Sequence, residues 1–131
     1  MRRPCKRCLK NRDERFYVSA RGTVCADCRK KRHSQTSHGN RIRRTYGITA
    51  PEYMTMLEAQ GKCCAICSGS RNYRLSVDHD HEKERLEGSR ASVRGLLCKR
   101  CNTLLANAGD RPDLLDAAAA YLRDPPAKKH L

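Results

Sequence analysis

The chain has 131 residues, 38% hydrophobic and 5% aromatic, with no Trp. That allows one domain or two small ones around a thin apolar core, and no apolar run approaches the roughly 20 residues that span a bilayer. The net charge of +14 is uneven: residues 1–50 hold fifteen Lys and Arg against three Asp and Glu, so twelve of the fourteen net charges lie there, and a field of that kind points to a polyanion, nucleic acid above all.

Nine cysteines are the obvious staple for so polar a chain. Met1-Arg2-Arg3-Pro4-Cys5 is charged where a secretory leader is apolar, which leads us to expect a reducing cytoplasm, where C-x-x-C pairs read as zinc ligands rather than disulfides.

In chain order, a first region, 1–30, carries Cys5-x-x-Cys8 and Cys25-x-x-Cys28, with Arg15–Val18 as a short strand candidate and a turn at Ala20–Thr23. It reads as a four-cysteine zinc ribbon. Residues 31–46 form a basic linker, or a helix lying along phosphates; Ser34–Asn40 is expected to break any helical pattern there. From 47 to 124 a third region opens with a capping box, Thr49 and Glu52, before a helix over Pro51–Gln60 that Gly61 ends. A knuckle at Cys64-x-x-Cys67, a strand over Tyr73–His79, a polar loop, and a strand over Ser92–Leu97 follow. Cys98-x-x-Cys101 then leads into a short helix beginning near Asn102. Asp110 is expected to cap a last helix over Pro112–Arg123, and residues 125–131 are expected to be a disordered tail. The fold class is α+β.

Two four-cysteine sets result: Cys5, Cys8, Cys25 and Cys28, then Cys64, Cys67, Cys98 and Cys101, with Cys63 left as a spare thiol. Four thiolates close a zinc site and leave no position for substrate, so both sites are structural. Within the second frame stands Asp78-His79-Asp80-His81, and Asn102 follows the last knuckle. Asp78 and Asn102 supply oxygen ligands of the kind that suit Mg²⁺ or Mn²⁺. A neutral His79 beside a metal-bound phosphate can take a proton from water. Arg94 has the shape to clamp a phosphate, with Gly95 allowing close approach. His81 can contact phosphate or ion, or simply be structural. An alternative is a third zinc site built on His79 and His81. In a strand Asp78 and His79 face opposite ways, so the chain must end or bend near His79 for the two to act together.

Tyr46–Thr49, Leu57–Gly61, Cys64-Ala65-Ile66-Cys67, Val77–His81 and Val93–Cys98-x-x-Cys101-Asn102 together resemble the recombination endonuclease VII family, a phage-type branch of the HNH nucleases. The resemblance runs over about residues 44–122. It implies a small zinc-stapled ββα-metal (His-Me finger) domain in which His79 is the general base and Asp78 and Asn102 hold Mg²⁺. It also implies hydrolysis of DNA phosphodiesters, branched or nicked DNA as substrate, a homodimer, and the cytoplasm of a bacterial or phage-infected cell. The neutral run Thr103–Ala106 departs from the founding phage enzyme, which has an acidic residue shortly after the asparagine. A site-specific nicking or homing nuclease and a non-catalytic zinc DNA-binding protein remain as alternatives.

Overall fold

The computed structural model describes all residues, Met1–Leu131, and they divide into two units, Met1–Ala50 and Pro51–Leu131. In the first, β1 (Arg2–Pro4) pairs antiparallel with β2 (Asn11–Asp13), Arg3 opposite Arg12. The first cysteine knuckle makes the turn between them, and Leu9 takes a left-handed φ of 59° to complete it. The expected strand over Arg15–Val18 is not there. Asp13 accepts from the Arg15 N–H at 3.1 Å and starts a single 3₁₀ turn, Glu14–Phe16, instead. A side-chain acceptor two residues back offers the backbone a local bond that competes with strand pairing. Tyr17 then turns inward and donates its hydroxyl to the Arg3 carbonyl at 2.8 Å. With Cys5, Cys25 and Cys28 it makes the buried core of this unit, flanked by Cys8, Phe16 and Val24.

Cys25 caps α1 (Ala26–Tyr46), one unbroken helix of 21 residues. The expected break at Ser34–Asn40 does not occur. Gly39 costs a helix about 1 kcal/mol relative to Ala. It is tolerated because the helix passes close to Ala50, where a Cβ on Gly39 would stand 3.3 Å from that of Ala50. Ile42, fully buried, anchors the far end. Gly47, at φ 68°, ends the helix by donating to Arg43 O.

In the second unit α2 (Ala50–Ala59) buries Tyr53, whose hydroxyl donates to Leu75 O at 2.8 Å. β3 (Ser76–His79) pairs antiparallel with β4 (Val93–Leu97), Val77 opposite Leu96 and Asp78 opposite Gly95. β3 is shorter than the expected Tyr73–His79. The loop expected between the strands is helical: α3 (His81–Glu87) starts where Asp80 accepts from the Lys83 N–H at 3.0 Å, and α4 (Ser89–Ser92) returns the chain to β4. Cys98 caps α5 (Lys99–Asn107), which packs on both strands. It begins at the knuckle rather than near Asn102. α6 (Pro112–Arg123) is capped at Arg111 with no side-chain bond. Asp110, expected to cap it, instead sits at φ 55° and turns to Arg94. The tail forms one further turn of helix, α7 (Ala127–His130).

Candidate active site and zinc centres

Both four-cysteine sets converge, each with its ligand atoms within 4.8 Å of one another. Cys5 and Cys28 sulfurs stand 3.9 Å apart, Cys8 and Cys25 4.0 Å, and Cys67 and Cys98 3.8 Å. Two thiolates on one tetrahedral zinc, each at about 2.3 Å, stand about 3.8 Å apart. The clusters therefore fit structural zinc, and all nine cysteines are free of disulfides. In each cluster the second knuckle opens a helix with its first cysteine as the cap: Cys25 at φ −69°, ψ 160°, and Cys98 at φ −69°, ψ 161°. Backbone N–H groups aimed at sulfur stabilise thiolate. The Cys25 N–H, 3.3 Å from the Cys5 sulfur, leads the groups that lower the Cys5 thiol to about 6. Burial raises Cys64, but N–H groups of Cys98, Cys67 and Ile66 outweigh it and bring that thiol also to about 6. Burial pushes Cys28 and Cys101 up to about 12. Arg71 donates toward the Cys67 and Cys98 sulfurs at 3.7 and 3.8 Å, offsetting charge at the second site.

The second cluster pins the frame of the central hairpin. Gln60 strengthens it from outside: its amide donates to Leu96 O and accepts from Leu96 N–H, both at 2.9 Å, as a neighbouring strand would. Gly95 leaves room for this, since a Cβ there would come 3.3 Å from the Gln60 oxygen.

At the end of β3 the pairing shifts by one residue between Asp78 and His79, so that Asp78 faces Gly95 while His79 faces Val93. Arg94 is the extra residue of this bulge. β3 itself ends at His79, and Asp78 and His79 have separate surroundings. Asp78 is 7% exposed and accepts two bonds from Arg94, from Nε at 2.7 Å and Nη2 at 3.0 Å. Arg94 Nη2 also donates to Asp110 at 3.1 Å. These bonds, that to Asp78 first, hold the guanidinium proton more tightly than usual.

His79 Nε2 lies 3.3 Å from Glu84 Oε2, and Ser89 Oγ donates to the other Glu84 oxygen at 3.1 Å. His81 meets the His79 ring edge-on, centroids 4.4 Å apart. Asn102 is half-buried on α5, one residue past Cys101 of the second cluster. Asp80 is a helix cap, and its carboxyl lies below the ordinary value because the Lys83 N–H bonds it.

The sequence marks Asp110 only as a helix cap and Gln60 only as a helix end, and it does not single out Glu84. A signal for Glu84 was present: Asp80 followed by seven helix-tolerant residues and Gly88 carries start and stop marks, and a helix there puts Glu84 on the same face as His81.

A sequence profile of the recombination endonuclease VII family matches residues 39–124. The chain belongs to that family. It is similar to the Gene 59 protein of Mycobacterium phage D29, 42% identical over 137 residues that cover 96% of this chain and 76% of that protein. The Gene 59 protein of Mycobacterium phage L5 is 40% identical over 134 residues, covering 96% and 77%. No solved structure matches the chain. Membership in the endonuclease VII family suggests a nuclease acting on DNA. No helix is long and apolar enough to cross a membrane.

Proposed function

We propose that this chain is a metal-dependent DNA endonuclease that hydrolyses phosphodiester bonds by a one-metal HNH mechanism, in a ββα-metal domain formed by β3, β4 and α5. The observation that supports the reading is the end of β3, where the strand stops at His79 and the register shifts. There Asp78 is held by Arg94 and His79 faces Glu84. A carboxylate and an imidazole that are neighbours in sequence can then do separate work.

The residues present suit a hard cation. Asp78 offers carboxylate oxygens and Asn102 an amide oxygen. Asp78 has about four lone-pair positions, and two bonds from Arg94 leave room for a further ligand. Mg²⁺ or Mn²⁺ held by Asp78 and Asn102 would stabilise charge on the phosphate and on the leaving 3′ oxygen. His79 takes the proton of the attacking water. Glu84, itself held by Ser89, orients the ring through Nε2. Arg94 holds Asp78 in place and lies at the rim, where its charge is also suited to a phosphate. His81 supports the His79 ring from its edge. The basic first unit, with α1, holds DNA through phosphates.

The test is cleavage of linear, nicked, branched and single-stranded DNA with Mg²⁺ or Mn²⁺. We expect cleavage by the native protein, and His79→Ala to lose about 10²–10⁴-fold in rate while DNA binding is kept. Preference for branched substrates supports a junction enzyme; cutting at one sequence supports a nicking or homing enzyme. No cleavage of any substrate by the native protein sinks the reading and leaves a non-catalytic zinc DNA-binding protein.

A further inference from the structure

His79, His81 and Glu84 bring two imidazoles and a carboxylate together, their ligand atoms within 4.8 Å of one another. The three come from six residues of chain. His79 ends β3, Asp80 caps the turn, and α3 begins at His81, which puts Glu84 on the same helical face three residues on. Two donor atoms on one tetrahedral ion at about 2.0–2.1 Å stand about 3.3 Å apart, and His79 Nε2 and Glu84 Oε2 are already at 3.3 Å. His81 is exposed, and exposed side chains change rotamer in nanoseconds or less, so it can close the remaining distance. Imidazole with carboxylate suits Zn²⁺, Co²⁺ and Ni²⁺ better than Mg²⁺.

We propose that His79, His81 and Glu84 form a third metal site, for a borderline transition-metal ion, and that an ion held there switches off the base. The site stands on its own geometry, whereas the switch rests on the reading of His79 as the base. A neutral imidazole has one nitrogen lone pair, and its other nitrogen carries the proton. An ion bound to the ring uses that lone pair. The proton then resides on the other nitrogen, and the ring has nothing left with which to accept a proton from water. The same three side chains are thus a positioning device without the ion and an inhibitory site with it.

The probe is Co²⁺ added to protein already carrying one Zn²⁺ in each four-cysteine cluster, followed by calorimetry and visible absorption. One further Co²⁺ per chain is expected, with absorption of nitrogen and oxygen ligation and no thiolate charge-transfer band. His81→Ala and Glu84→Gln should each weaken that ion at least tenfold while both keep two zincs. Two zincs and no third ion, or a third ion bound equally well by both variants, overturns the site. One equivalent of Zn²⁺ added to an Mg²⁺ cleavage reaction should then lower the native rate, and should lower the His81→Ala rate much less relative to that variant's own. Unchanged native cleavage with the third ion bound overturns the switch but leaves the site. Absence of any cleavage counts against the nuclease reading, and the Co²⁺ titration still decides the site.

Discussion

Asp78 and His79 differ most in who holds them. Asp78 is buried and has its charge matched by Arg94, while His79 faces Glu84. The need for a bend was readable from the two-residue period of a strand. The partners were not, because the sequence does not give the register that sets Gly95 opposite Asp78 and leaves Arg94 beside it as the extra residue. Arg94 itself was read as a phosphate clamp, and it is first of all the counter-ion of Asp78. Arg94→Ala should therefore destabilise the protein by about 1–2 kcal/mol, allowing for the partial exposure of the pair. In the proposed site it also removes a cation that would compete with metal for Asp78, so Mg²⁺ should raise the melting temperature of the variant more than that of the native protein. Equal shifts would mean that Asp78 does not hold the metal. The cysteines carry a second prediction. Zinc binds thiolate, and Cys28 and Cys101, pushed up to about 12, hold their protons at neutral pH when no metal is bound. Zinc uptake must release them, so affinity falls as pH drops from 8 to 6. Calorimetry in buffers of different ionisation enthalpy should detect at least one proton released per site; none released would contradict it.

Among the elements, those marked by end signals were legible and those set by long-range contact were not. Pro112 and the apolar run from Leu114 place α6 correctly, and Gly61 lies two residues past the end of α2. The continuity of α1 through Ser34–Asn40 was hidden, since the burial of Ile42 and the close pass at Ala50 override local propensity. The loop expected after His79 is helical because Asp80 caps it. Gln60 was read only as the last residue of a helix, yet it acts as a one-residue strand on the edge of β4. Removing it leaves the N–H of fully buried Leu96 without its 2.9 Å partner, while Leu96 O keeps the Ala65 N–H at 3.2 Å. Gln60→Ala should cost about 1–3 kcal/mol, measured as a lower urea midpoint of the zinc-loaded protein. A midpoint within error of the native one would show that the edge contact adds nothing.

For the molecule as a whole, the two four-cysteine frames and the charge asymmetry were both plain in the sequence, because spacing and sign do not depend on tertiary contacts. What the structure adds is the form in which the charge is presented. α1 carries Arg29, Lys30, Lys31, Arg32, Arg41, Arg43 and Arg44, all exposed, with Asp27 its only acidic residue. At 1.5 Å per residue its 21 residues extend about 30 Å. Duplex DNA presents a phosphate about every 1.7 Å of axis, so a helix of that length can face many phosphates at once. Binding through them releases counter-ions, and each phosphate neutralised contributes about −0.9 to the slope of log affinity against log salt. Replacing Arg29, Lys30, Lys31 and Arg32 by Gln removes up to four such contacts. The slope should become shallower by as much as about 3.6, and affinity should fall equally for DNA of unrelated sequences, since phosphate contacts carry no base information. The proposed Asp78–His79 centre is untouched by these changes, so the cleavage rate at saturating DNA should stay near the native value. An unchanged salt slope would remove α1 from the binding surface. A loss confined to one DNA sequence would instead assign these side chains to base recognition.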